Sequence, residues 1–437
     1  MTATSTTPGV RRTRPTRRSA PSPRAAQNAM GVRLFGRTVS TSTVLFALVV
    51  LLCVLGIVMV GIASSVVSID TYGSPWQILI REGMWMAVGA VVFGVLLKID
   101  YRKIRRLSGA LLVATFVMLF AVLVPGLGVH VMGSSRWIGF GQFRIQPSEV
   151  MKLALVLFAA DFIAKRLDED ATDRRIMGPL LLVTGVSGVL ILAQPDMGTA
   201  MVMACIALTM LFVSGVKLGP VFKVIGAMAA LALIVAVASP YRRERLLSFL
   251  DPSAHGSSSG YQVVQGLIGL GSGHLFGLGL GGGQQQWGFL PNAHTDFIFS
   301  VIGEDLGIVG ALAVLALLGA FMWLGIKTAT HAADRFGGLL AVGLVAWIGA
   351  ETLINIGAVL GVLPVTGIPL PFISYGGSSL VITLVAAGIL INIARQAEAA
   401  PSTSKSLLHR ESGRRDAADR RHGARRLAAV SARGQGR

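Results

Sequence analysis

Long apolar runs alternate with short polar stretches along most of the chain. Crossing the hydrocarbon of a bilayer takes about 20 apolar residues in a helix. Ten runs approach that length, roughly 43–64, 80–98, 108–125, 149–165, 178–194, 198–215, 220–239, 297–326, 337–362 and 376–395. The pattern predicts an all-α polytopic membrane protein with about ten transmembrane helices. A large extracytoplasmic loop, 240–296, separates the seventh and eighth. The fourth to sixth runs are short or closely joined. The chain divides into a basic tail 1–42, a transmembrane domain 43–395 and a second basic tail 396–437, with both tails expected to be disordered.

Composition agrees with the pattern. The chain is 53% hydrophobic and only 14% charged, against roughly 25% charged residues in soluble domains. The net charge of +18 is concentrated at the ends. Residues 1–40 hold eight Arg and no acid, and 395–437 hold eleven basic and four acidic residues, so the tails carry 15 of the 18 charges. Such tails suit anionic lipid headgroups. A nucleic-acid partner is disfavoured, because no aromatics interleave the arginines. The first apolar run, from Val44, is long enough to span and stay, unlike a cleaved signal peptide. Cys53 and Cys205 lie inside apolar runs and read as packing thiols.

An even number of spans puts both tails on one side. Loops 99–107, 165–177, 216–219 and 327–336 are basic and fall on that side, which the positive-inside rule makes cytoplasmic. Loops 65–79, 126–148, 195–197 and 363–375 are poorer in Lys and Arg. Only Arg242, Arg243 and Arg245 break the alternation, in a loop too long for the rule. Four segments rich in Pro, Gly and charge, 126–149, 194–198, 240–296 and 363–379, thus gather on the outer face.

Those segments hold the candidate chemistry. Arg136-Trp137 reads as an interfacial anchor. Gln146-Pro-Ser-Glu149 reads as a helix start. Glu149 and Lys152 share a helix face three residues apart, as an ordering ion pair and, compatibly with that, as the lining of a polar cavity where Lys152 meets an anion. Asp196 suits a turn and helix cap. Residues 241–252 suggest an amphipathic surface helix. Its Arg242 and Arg245 share a face, and arginine forks suit phosphate. The glycine-rich stretch 269–283 follows no strand and lacks the Gly-Lys-Ser/Thr of a nucleotide loop. Asp296, in Leu290-Pro-Asn-Ala-His-Thr-Asp296, closes a polar loop and opens an apolar run. It is either a helix cap or a reactive carboxylate. His294 reads as a local hydrogen-bonding residue, Glu304 as lying near the Asp296 face, and Glu351 with Asn355 as a buried polar pair. The stretch 364–379, with Ser374, Gly376 and Gly377, has no long apolar run and reads as a re-entrant or extended loop.

Three of these segments together resemble the SEDS family, the shape, elongation, division and sporulation proteins. They are Arg136-Trp-Ile with Gln146-Pro-Ser-Glu-Val-Met-Lys152, then Leu290–Gly307, then Leu363–Ser379. The resemblance covers about 43–395 and is nearest to the family's cell-division branch. It implies a peptidoglycan glycosyltransferase that polymerises lipid II on the outer face of the cytoplasmic membrane at the division septum, with inversion and loss of undecaprenyl pyrophosphate. Asp296 matches the family's catalytic aspartate. It would act as a base or as the ligand of a divalent cation, Mg2+ or Mn2+. Glu149 and Lys152 match cavity-lining positions. Arg136, Trp137, Lys152, Arg242, Arg245, Ser374, Gly376 and Gly377 are the expected substrate contacts. The implied partners are lipid II, a class B penicillin-binding protein, other division proteins and membrane lipids. Two positions depart from the pattern: Glu351 stands where Gln is expected, and 253–260 lacks the expected Asp/Pro-rich form. A lipid II flippase and a non-catalytic division scaffold are the competing readings.

Overall fold

The computed structural model describes residues 31–34, 37–131, 134–141, 143–169, 173–217, 219, 221–223, 226 and 259–399. The seventh apolar run, the stretch 241–252 with Arg242 and Arg245, residues 253–258 and the tails 1–30 and 400–437 lie outside them.

The chain opens with a short antiparallel pair, β1 (Val32–Leu34) and β2 (Arg37–Val39), with Val32 opposite Val39. This corrects the expectation of disorder throughout 1–42. Val32 packs against the core, and Lys327 Nζ donates to the Gly31 carbonyl at 3.1 Å. Then come α1 (Thr41–Tyr72), α2 (Gln77–Leu96) and, after a short turn of helix at Tyr101–Ile104, α3 (Ser108–Leu123). A three-stranded antiparallel sheet follows: β3 (Val129–Val131), β4 (Ser134–Phe140) and β5 (Phe143–Ile145). After it run α4 (Pro147–Asp168), α5 (Asp173–Ala193) and α6 (Met197–Val213). The last helices are α7 (Ser259–Ser272), α8 (Ile298–His331), α9 (Arg335–Val359) and α10 (Ser378–Ala399).

Nine of the ten predicted runs coincide with helices. Among the described residues, seven helical stretches are long and apolar enough to cross a membrane. The other two fall short for visible reasons: α6 has 17 residues, and α4 carries charges inside the bundle. Fifteen of the 22 residues of α4 are buried, on every side. Its polar groups therefore face protein rather than lipid, as intramembrane charges do. The apolar windows of α9 and α10 are also 78% buried, against 22% for α2. So α4, α9 and α10 form the inside of the bundle. The outer helices turn residues such as Val91, Val113 and Val117 outward.

The sheet was not expected. Residues 126–148 read as loop because no strand exceeds seven residues. β4 packs on α3 and α4, and this tertiary support is invisible to local periodicity.

Three of the predicted basic loops meet at one end. Arg102 Nε reaches Asp334 Oδ2 at 2.7 Å, and Arg335 reaches Asp168 at 2.9 Å. Asp161 takes Arg105 at 2.6 Å and Lys165 at 2.7 Å. Asp334 also caps α9 through the Gly337 N–H at 2.6 Å. The sheet, the turn at 194–196 and the segments 284–297 and 363–377 meet at the opposite, polar-loop end.

Candidate functional site

The polar-loop end is organised by its least regular segment, residues 363–377. The segment lies between helices with little secondary structure of its own, so its backbone polar groups need partners from elsewhere. Asn355 Nδ2, about one turn before the α9 terminus, donates to the Ile368 carbonyl at 2.8 Å and to the Asp296 carbonyl at 2.8 Å. The Tyr375 N–H donates to the His294 carbonyl at 2.9 Å. Ser374 Oγ turns back to accept the Leu370 N–H at 2.8 Å. Glu82 of α2 accepts the backbone N–H groups of Gly376 and Gly377. On the fifth side, α1 presents Gly56, where a Cβ would come within 2.6 Å of the Phe372 carbonyl oxygen. Only glycine allows that approach.

Asp296 faces this segment. A Cβ added at Gly367 would lie 3.5 Å from Asp296 Oδ2. The residue at the cap position of α8 is Phe297, directly after Asp296, and its side chain makes no cap bond. Beside it, the His294 ring stacks at 5.6 Å on Tyr375. Burial pushes the His294 imidazole down to about 4, so it is neutral at physiological pH. Burial, and then the charge of Glu82, raises the Tyr375 phenol. Three buried polar atoms next to Asp296, His294 Nδ1, Asn355 Oδ1 and Thr366 Oγ1, have no hydrogen-bond partner within the protein. Buried polar atoms are nearly always satisfied.

The other expected residues have varied placements. Arg136 in β4 donates from Nε to the Gln194 carbonyl at 3.1 Å and from a terminal nitrogen to the Pro195 carbonyl. Among the described residues no carboxylate offsets its charge. Trp137 is half-buried in β4, opposite Val129. Asp196 is a cap as expected, taking the Thr199 N–H at 3.1 Å. It also accepts from Gln146 Nε2 at 3.1 Å and Ser148 Oγ at 3.2 Å, which ties the α4 start to the turn before α6. Ser374, Gly376 and Gly377 shape the re-entrant turn.

Glu149 and Lys152 form the anticipated ion pair at 2.8 Å. Glu351 of α9 closes on the same ammonium. The departure from the family pattern therefore has a partner: Lys152 stands between two carboxylates and is only 1% exposed. The ring of Trp347 lies 5.2 Å from Nζ. Glu351 and Asn355 do not pair with each other. Glu304 accepts from Gln284 N at 2.8 Å and Gln285 N at 3.1 Å, so it holds the glycine-rich loop instead of facing Asp296.

Sequence reasoning missed Glu82. Its signal was an acid inside the run 80–98, where a charge is costly without a partner. Among the described residues, no group of three or more His, Cys, Asp or Glu converges as a metal site.

Comparison with known proteins settles the lineage. The model of the cell cycle protein family FtsW/RodA/SpoVE matches residues 42–399. The chain belongs to this family. Stage V sporulation protein E of Bacillus subtilis is 38% identical over 357 residues, covering 82% of this chain and 97% of that protein. The probable peptidoglycan glycosyltransferase FtsW of Coxiella burnetii is 39% identical over 352 residues, covering 79% and 94%. The Mycobacterium tuberculosis FtsW is 39% identical over 384 residues, covering 88% and 73%. Among solved structures, a peptidoglycan synthase complex that coordinates polymerization and crosslinking matches with TM-score 0.64 at 29% identity, covering 80% of this chain and 97% of that one. The crystal structure of Thermus thermophilus RodA matches with TM-score 0.60 at 27% identity, covering 80% and 96%. The FtsW/RodA/SpoVE chain described here is thus an integral membrane protein of that helical fold.

Proposed function

We propose that this chain is a peptidoglycan glycosyltransferase of the FtsW type, polymerising lipid II with Asp296 as its catalytic carboxylate. Family membership carries the reaction. The observation that carries the site is Asp296 set against the re-entrant segment at Gly367, beside three buried polar atoms with no protein partner.

The acceptor's 4-hydroxyl oxygen attacks C1 of the donor sugar. The bond from C1 to the diphosphate oxygen breaks, and undecaprenyl pyrophosphate leaves with the electron pair. Asp296 takes the hydroxyl proton. A positioned base of this kind contributes about 10²–10⁴-fold. A divalent cation, if it takes part, would rest on Asp296 and on the substrate's own phosphate oxygens, the usual way of holding Mg2+. It would supply positive charge to the leaving diphosphate. Arg136, Arg242 and Arg245 are the candidates to do the same. His294, neutral at working pH, can hydrogen-bond the sugar without adding charge.

In this reading the basic end is cytoplasmic, both tails lie there, and Asp296 works on the outer face at the septum. The relation to a synthase complex supports a crosslinking partner, proposed here as a class B penicillin-binding protein. The decisive measurement is glycan formation from lipid II by the protein reconstituted with that partner. Asp296→Asn is expected to lower the rate by about 10²–10⁴-fold while the protein remains folded. Wild-type rates from that variant would remove Asp296 from catalysis. Transbilayer movement of labelled lipid II without any polymer would favour a flippase.

A further inference from the structure

Residues 259–295 contain no Lys, Arg, Asp or Glu. A loop bathed in water rarely goes that far without charge. The described part of this stretch is also unusually apolar at its rim. Phe276 is 80% exposed, and Leu275, Leu278, Leu280, Trp287 and Phe289 are exposed with it.

The position of this rim follows from α8. The helix breaks at Gly307, whose φ of 70° and ψ of −171° are not helical. Past the break, residues 308–331 extend about 36 Å at 1.5 Å per residue, enough for the hydrocarbon core on their own. At the basic end of this half, Lys327 Nζ lies 5.6 Å over the ring of exposed Trp323. That pairing of aromatic and cation marks an interface. Counting back about 20 residues reaches Gly307. The break therefore sits at the other edge of the hydrocarbon, where Ile308, Val309 and Leu312 turn outward to lipid.

The glycine-rich loop docks at that break. Leu278 N and Gly279 N donate to the Glu304 and Asp305 carbonyls at 3.0 and 3.1 Å. Ile308 N and Val309 N donate back to the His274 and Leu275 carbonyls at 3.0 and 3.2 Å. The two carboxylates then take four more loop amides. Asp305 accepts Gly281 N at 3.0 Å and Gly283 N at 3.1 Å, and Glu304 accepts those of Gln284 and Gln285. Irregular backbone survives at membrane depth only when its polar groups are met by protein. Here they are, while the side chains between them are apolar and unpartnered.

We propose that residues 274–289 form a lip seated in the outer leaflet, its apolar rim covered by the acyl chains of bilayer lipids. The rim continues the lipid-facing surface of α8 past its break. It fixes the height of the half-helix 298–306, and with it Asp296, above the hydrocarbon. The inference rests on the chain being a membrane protein and not on the reaction it catalyses.

The test places single cysteines at Phe276 and Leu280 in a Cys53→Ser, Cys205→Ser background. Each is spin-labelled in nanodiscs of phosphatidylethanolamine and phosphatidylglycerol. Oxygen should relax both labels more than a water-soluble nickel chelate does, as at a Leu312→Cys reference, while a label at Pro291 should favour the chelate. Chelate-dominated relaxation at 276 and 280, or shielding from both probes, overturns the proposal. The unsubstituted protein supplies the second arm. A diazirine-bearing phospholipid should crosslink within 274–289 as well as at 308–312. Crosslinks at 308–312 alone overturn it equally.

Discussion

The two ends of this molecule use carboxylates for different work. At the basic end Asp161, Asp168 and Asp334 bind arginine and lysine side chains that are largely exposed. These pairs strap one loop to the next. At the polar-loop end Glu82, Asp196, Glu304 and Asp305 bind backbone N–H groups, and the ionic group of Glu149, Lys152 and Glu351 is wholly buried. There the acids hold irregular chain in shape. The difference follows from what each end must do. Regular helices joined by short loops need only fastening. Irregular backbone packed between helices needs every amide met.

Removing Lys152 should break this contrast most severely. Lys152→Ala leaves two buried carboxylates unpaired, and losing one partner of a buried ion pair costs about 3–5 kcal/mol. The expected result is poor recovery of folded protein, or a large drop in the thermal midpoint in detergent. Glu351→Gln should be neutral or stabilising, because it removes the surplus negative charge and can still accept from Lys152. A large loss from Glu351→Gln would show that both acids are needed as charges.

Acidification should separate the ends next. The His294 imidazole is held near 4 when folded, below its usual 6.5 or so. Above pH 6.5 neither the folded nor the unfolded form is protonated, and stability is flat. As pH falls from 6.5 to 4, the unfolded form takes the proton and the folded form does not, so stability is lost. Asp334 behaves differently. Burial opposes its charge, yet the Gly337 N–H, Arg102 and the Tyr101 hydroxyl hold it below the usual carboxylate range. Its contribution is present above about pH 4 and is lost only in more acid solution. Thermal midpoints between pH 7 and 4.5 should therefore fall less in His294→Gln than in the wild type, while Asp334→Asn should leave the slope unchanged.

The smallest effect belongs to the surface straps. Arg335→Ala should cost about 0–1 kcal/mol, in line with exposed pairs elsewhere. A shift in midpoint comparable with Lys152→Ala would mean that the two ends are not built differently.

Much of this was legible in the sequence because bilayers impose length. Nine helices follow from apolar runs, and the gathering of four polar segments at one end followed from counting sides. The Asp196 cap and the Glu149–Lys152 pair followed from spacing. What spacing could not give is partnership between distant stretches. Glu351 meets Lys152 rather than Asn355 because α9 crosses α4 at that level. Asn355 instead reaches two carbonyls from segments 59 and 13 residues away. Glu304 was placed correctly on its helix but not on its loop. The helix break at Gly307, which brings the loop alongside, has no local signature beyond a glycine.

That break divides α8 into two cooperative units. The amides of Ile308 and Val309 go to the His274 and Leu275 carbonyls, and past them the ladder of the membrane half is its own. The outer half gives its Glu304 and Asp305 carbonyls to loop amides. In hydrogen exchange, transient release of the loop should expose both together, while the membrane half retains its protection. The carboxylate at position 296 thus rides on a segment that can loosen without unseating the bundle beneath it.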